Sequence, residues 1–560
     1  MKNAKKTTRP ILASCLGLAL VMGCGQGQAG DTPEPQSDPS GYGDQLGSVR
    51  LPASCAEGAD PALERGLALL HHMTYEAARE AFAAAVDADP DCALGAWGQA
   101  MTFIHPLWSD PPSEADFERG RELLETARSR GLDDEREEAY VDAVQAYYEA
   151  GRTTDETPNL AAFAEAWARV HERFPDDPEA TAFHALSHLA TADPADKTYT
   201  VQREAGALAE SVLAEIPDHP GGHHYTIHAY DYPTLAENAL DVARSYGTIA
   251  PDVPHALHMP SHIFTRLGLW EESIEWNERS AEAAREHPVD GQVSMHLLHA
   301  IDYLAYAHLQ KGADGKAREV ADTLAALDGP IHPHVGSAYT LAAVPARLAL
   351  ERGRWAEAAA IEPRQPADFP WDRFPAIEAI PHFARALGDA RGGDPPAAGD
   401  ELQRLAELRD QAAESSDYWA QQVEIQRLAA EGWVRFMEGD RQAGLETMRE
   451  AAELEASTEK HPVTPGEVLP ARELLGDMLL ELDRPEEALE VYEASLDRSP
   501  GRLNGLYGAG RAAELLGRDE IATAHYRELV DQAAETGGDL EQLAHAREYL
   551  DGTARAAGGP

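Results

Sequence analysis

The chain has 560 residues, of which 97 are Asp or Glu and 47 are Lys or Arg, for a formal charge of −50. That balance leaves no basic footprint for a phosphate backbone, which excludes nucleic acid as a ligand class. The acidity reads as a solvated surface or as a preference for cationic ligands, metal ions among them.

The first predicted element is an address. Lys2, Lys5, Lys6 and Arg9 precede an apolar run from Ile11 to Val21, which is too short for a permanent membrane span. Val21-Met22-Gly23-Cys24 follows, and the whole resembles a bacterial lipoprotein signal. The resemblance implies that residues 1–23 are removed and that Cys24 carries a lipid. That lipid would hold the protein in the bacterial cell envelope, with Gly25 favouring the outer membrane. Met22 stands where the signal usually has a small residue, so ordinary secretion is the alternative. Losing residues 1–23 removes four basic and no acidic side chains, taking the charge from −50 to −54. Residues 24–48, rich in Gly, Gln, Pro, Ser and Asp, read as a disordered tether. Cys15 leaves with the signal, so Cys55 and Cys92 remain as an even pair in an oxidising compartment. They are expected to form a disulfide around the first helical hairpin, two buried thiols being the alternative.

From residue 49 onward the apolar pattern is helical throughout. The clearest unit runs from Pro470 to Pro500, with small Gly476 and Ala488 at a helix crossing and Tyr492 filling the gap; Gly510, Ala522 and Tyr526 repeat that order 34 residues later. The unit resembles the tetratricopeptide repeat (TPR), a stack of helical hairpins. Tyr75 to Ala85 followed by Asp89-Pro90, and Gly268-Leu269-Trp270, match its second helix and its inner turn. The segments Gly66 to His71, Asp89 to Cys92, Ala96 to Trp108 and Lys460 to Glu473 resemble a bacterial family of secreted TPR proteins without an assigned activity. The expected fold is an all-α, TPR-like α-solenoid, a right-handed superhelix of about twelve hairpins. An N-terminal array (49–360), a loop with Pro363, Pro366 and Pro370 (361–374), a C-terminal array with a capping helix (375–552) and a tail (553–560) divide it.

Three histidine pairs share one spacing: His184 and His188, His224 and His228, His258 and His262. Residues four apart lie on one helix face, so each pair aims two imidazoles the same way. In the repeat family the second, fifth, ninth, twelfth and thirteenth residues of a unit face the concave groove. Counting back from Pro251 puts His224, His228 and Asp231 at such positions. Counting back from Gly268 does the same for His255, His258 and His262, and from Gly312 for His299, Asp302 and Tyr306. His184 and His188 are placed there by analogy.

Imidazole is the commonest metal ligand in proteins, and pairs from neighbouring helices can hold a divalent zinc, copper, nickel or iron ion. His224, His228, His258 and His262 are the first candidates. Asp231, Asp302, His184, His188 and His299 follow, as ligands or as acceptors that orient a ring. His255 and Tyr306 would line the groove. Two other readings compete, hydrogen-bonded packing histidines or a polar floor that contacts a peptide. The sequence has no glycine-rich phosphate loop, no Gly-x-Ser-x-Gly and no His-Glu-x-x-His. The expected function is therefore a lipid-anchored solenoid binding a protein, peptide or other ligand in its groove. Its rival is a metal-dependent enzyme, hydrolytic or oxygen-activating, built on the same histidines.

Overall fold

The computed structural model describes residues 42–108, 110–132, 134–152, 155–289, 291–533 and 540–558. The signal, Cys24 and most of the tether lie outside them. Residues 40–560 form one compact unit. Its elements are α-helices joined by short turns, and among the described residues extended pairing is limited to the isolated bridges Val289–Gln292 and Val293–Ile331. No helix among them is long and apolar enough to cross a membrane.

The chain is an all-α solenoid, and its local chemistry shows why. Helices Pro178–Leu189, Pro220–Tyr230 and Pro254–His258 each begin with a proline, whose fixed φ and missing N–H suit the first turn. Asp177 caps the first of them by accepting from the N–H groups of Glu179 and Ala180. Between helices the chain turns on glycines such as Gly268, at φ +68°. Close packing within hairpins demands small residues. Helices Ala471–Glu481, Pro485–Arg498 and Leu503–Leu515 pack in sequence, with Tyr492 wedged between them. A Cβ on Gly476 or Gly508 would lie 2.5 or 2.3 Å from its ring. The small-residue positions of the sequence repeat are thus places where a ring occupies the space of a side chain.

The ends differ from expectation. Residues 42–48 belong to the folded body rather than to a tether, because Tyr42 stacks on His287 and the Leu46 carbonyl accepts from buried His72. At the other end helix Glu541–Gly558 runs into the expected tail, as far as Gly558. Cys55 and Cys92 are bonded, with Cα atoms 4.8 Å apart. The loop 361–374 does not separate two cores. Phe369 and Trp371 are buried in one apolar cluster that extends from Ala338 to Ala546. The break between clusters falls earlier, where the one ending at Trp276 gives way to a small one spanning Ala281 to Val344.

The superhelix also closes on itself. Arg502, fully buried, donates to Glu351, Glu473 and the Tyr306 hydroxyl. Trp270 donates to the Gly501 carbonyl at 3.2 Å, and Gln532 to that of Gln310 at 2.8 Å. Residues 458–469 run through the interior, where Lys460 reaches Asp231 and Arg347 donates to Thr464 and the Gly466 carbonyl. The chain thereby covers its own concave wall.

Candidate metal centre

The helix Pro220–Tyr230 carries His224 and His228; the consecutive short helices Pro254–His258 and Pro260–Arg266 carry His255, His258 and His262; and Met295–Gln310 carries His299. Only Met259 separates the two short helices, and its own backbone is helical, so His258 and His262, four apart, share one inner face. All six imidazoles are buried, none more than 7% exposed. Their nitrogens gather as two groups of three, His224 with His228 and His255, and His258 with His262 and His299. Within each group the candidate ligand atoms lie within 4.8 Å of one another. The groups adjoin, with ring centroids 6.0 Å apart between His228 and His262 and 6.3 Å between His255 and His258.

Partners behind the rings fix where the protons sit. His262 Nδ1–H donates to Asp231 Oδ2 at 2.9 Å. Asp231 also accepts from Arg266 Nε at 2.8 Å and is paired with Lys460 at 3.3 Å. Burial alone would raise the Asp231 pKa, but those cations hold it well below the usual carboxylate range. It is therefore an ionised acceptor. His258 Nδ1–H donates to Asn277 Oδ1 at 2.7 Å, and the amide cannot be turned round, because Asn277 Nδ2 donates to the Ser273 carbonyl at 2.7 Å. His224 Nδ1–H donates to the His71 carbonyl at 2.7 Å. In a neutral imidazole the other nitrogen is then a bare lone pair. So the Nε2 lone pairs of His258 and His262 face each other at 3.0 Å in a buried site. His224 Nε2 meets His255 Nε2 at 3.1 Å. His228 Nε2, His255 Nδ1 and His299 Nδ1 are buried with no hydrogen-bond partner among the described residues.

Protonation is a poor remedy for these facing lone pairs. Burial, reinforced by neighbouring imidazoles, pushes His224, His255, His258 and His299 well below the ordinary histidine value and His228 to about 3. A bound cation would answer all of these features together. Nitrogens around a tetrahedral ion with bonds of about 2.0–2.1 Å stand roughly 3.4 Å apart, which is within reach of both groups.

A third group has the opposite character. His71, Glu179 and His219 also lie close together. Here the Glu179 carboxylate accepts from His71 at 2.8 Å, from His219 at 3.2 Å and from the Arg50 N–H at 2.7 Å. The remaining ring nitrogens are taken by Tyr225 and by the Gly222 N–H. With every polar atom partnered, this is a hydrogen-bonded packing cluster joining three helices.

The other sequence candidates fall outside the centre. His184 stacks on His171, and His188 bonds Glu204 at 3.0 Å near the surface, so this pair belongs to a different helix contact. Asp302 faces Arg347 at 3.4 Å, both fully buried, and orients no histidine. Tyr306 packs against Gly466 and bonds Arg502, as part of the closure rather than a ligand wall. Sequence reasoning missed Asn277, Arg266, Lys460 and His461. Asn277 sits on a second helix, where the repeat register gives no reason to look. His461 is in the wall of a cavity of about 570 Å³ together with His228, Lys460, Arg373, Tyr418 and Trp419. A smaller void of about 40 Å³ between His228, His255, His262, His299 and Trp108 adjoins it through shared walls.

No protein-family model matches the chain, and no curated protein does. Among solved structures it is similar to Naa15 in a Naa15/Naa10 complex bound to HypK (13% identity, TM-score 0.22, 89% of this chain and 75% of that one). Human IFIT1, a dimer with m7Gppp-AAAA, gives 13% identity and TM-score 0.34 over 75% and 87% of the two chains. Cut9 of the APC/C hetero-tetramer Cut9–Hcn1 gives 11% and 0.28 over 88% and 96%. At such scores these likenesses say nothing about the histidine centre.

Proposed function

We propose that the protein is an exported metalloprotein whose buried histidine centre binds a transition metal and presents it to a small ligand in the adjoining cavity. One observation carries the reading: His258 and His262 have their protons fixed on Nδ1 by Asn277 and Asp231, and their Nε2 lone pairs point at each other at 3.0 Å. Packing histidines would share a proton across such a contact, as His71, His219 and Glu179 do. Partners that fix the tautomer and aim the other nitrogen are the usual surroundings of a metal-bound imidazole. Three protein ligands leave a coordination position for water or a ligand, the arrangement of catalytic rather than structural sites. Neutral imidazole suits zinc, copper, nickel and iron.

A peptide along the same wall would have to displace residues 458–469, which fill it. A protein partner, expected from the repeat fold, would use the outer faces. The lipoprotein-like signal supports an envelope location with the lipid on Cys24, and the Cys55–Cys92 bond fits an oxidising compartment. The test is elemental analysis of the chain without its signal and lipid, residues 25–560, beside a His258→Ala, His262→Ala variant. Stoichiometric metal in the parent and its loss from a variant with unchanged helical content is the expected result. A parent that takes up no metal from zinc, copper, nickel or iron at micromolar concentration would overturn the proposal.

A further inference from the structure

The donor set divides evenly. His224, His228 and His255 form one group of three nitrogens and His258, His262 and His299 another, each compact enough for its own ion. Each group draws on more than one helix: His255 crosses from its own short helix to meet His224 and His228, and His299 comes across from Met295–Gln310 to stand 4.2 Å, ring to ring, from His258. Each group has an anchored ring, His224 through the His71 carbonyl and His258 and His262 through Asn277 and Asp231. Each also has a buried nitrogen without a hydrogen-bond partner among the described residues, on His228 and His255 in one and on His299 in the other. One ion gathered on either group would leave the other's lone pairs unanswered.

We infer that the centre holds a pair of ions, one on each group of three imidazoles, and that copper is the metal. This rests on the metal reading above and adds the number and identity of the ions. No carboxylate belongs to either donor group: Asp231 lies behind His262, where Arg266 and Lys460 balance it, and Asp302 faces Arg347. An uncharged, all-nitrogen cage offers little to a pair of hard dications. It suits borderline ions that accept imidazole, and copper binds nitrogen donors most tightly among the divalent first-row metals. The small void between His228, His262 and His299 lies where the two groups meet, so a ligand entering from the larger cavity would reach both ions.

The experiment is equilibrium dialysis of chelator-stripped, disulfide-intact protein against Cu2+, with copper counted per chain and the electron paramagnetic resonance signal integrated. Two coppers per chain are expected, with a signal well below two isolated spins because neighbouring ions couple. His228→Gln, His255→Gln and, separately, His258→Gln, His299→Gln should each retain one copper with the full signal of one isolated ion. Circular dichroism confirms that each variant is folded, and the Ala versions replace any that are not. One copper in the parent with none in either variant overturns the pair and leaves a single-ion centre. Two coppers with two full isolated signals overturn it as well. No copper, with zinc or nickel bound when either replaces Cu2+ in parallel dialyses, overturns the assignment to copper. No uptake of any metal overturns the metal reading itself.

Discussion

Asn277→Leu separates a metal ligand's support from ordinary packing. The substitution keeps the volume but removes the acceptor for His258 Nδ1, which lies 2.7 Å away, and the donor to the Ser273 carbonyl. A partner of this kind is worth 10–100-fold in metal affinity, which is about 1.4–2.7 kcal/mol. The metal-free protein should respond less simply. It loses two neutral hydrogen bonds, about 0.5–1.5 kcal/mol each, yet His258 is released to carry its proton on Nε2. There it can donate to His262, 3.0 Å away, and end the confrontation of lone pairs. The expected net loss of stability is therefore under about 2 kcal/mol, set against the fall in affinity of about 1.4–2.7 kcal/mol. Chelator competition measures the first quantity and urea denaturation of the stripped protein the second. Unchanged metal affinity together with a loss above about 3 kcal/mol, the range for a strongly destabilising core change, would refute the reasoning and make Asn277 a packing residue.

Acid should destabilise the metal-free protein. Burial lowers His72 to about 3 and His334 to about 4, and the His334 Nδ1 lone pair accepts from the Gly336 N–H. The unfolded chain protonates each near 6.5 while the folded one stays neutral, so stability is full above that pH and falls as pH drops toward 4. The slope should approach about 1.4 kcal/mol per pH unit for each such histidine; urea midpoints flat from pH 7 to 5 would contradict it. Replacing Cys55 and Cys92 by Ser opens a loop with a sequence separation of 37. It should cost about 4 kcal/mol on the chain-entropy model, seen as a lowered urea midpoint that matches the reduced parent. Cys24→Ala should move the protein from the membrane fraction to the soluble one on cell fractionation, with its metal content unchanged.

The helical class and the hairpin unit were legible because they depend on local pattern. Gly476 and Tyr492, like Gly510 and Tyr526, are close in sequence, and their packing follows from spacing alone. The histidine groups were legible in part. The register count brought His224, His228, His258 and His262 to one wall, and it also marked His255 and His299, though only as groove lining and as a lesser candidate. Closure of the superhelix could not be read, because Lys460 and Asp231 are 229 residues apart and no periodicity connects them. The same lack of a local signal put the tether boundary too late. Leu46 and Tyr42 look like spacer residues until His72 and His287 are seen beside them.

An open solenoid stabilises itself through neighbouring repeats, so its end units can fray or be removed one at a time. Here Arg502 and Gln532 are joined to helices nearly two hundred residues earlier or more, and Lys460 forms part of the wall that encloses the histidines. Deleting the last hairpins would therefore uncover the middle of the molecule and not merely shorten it. Such distant pairings also delay folding, since the intervening chain must be ordered before they can form. Closure further means that an ion held at the centre would exchange only through the cavity beside His461 or by detachment of residues 458–469, which links its residence time to the opening rate of the ring.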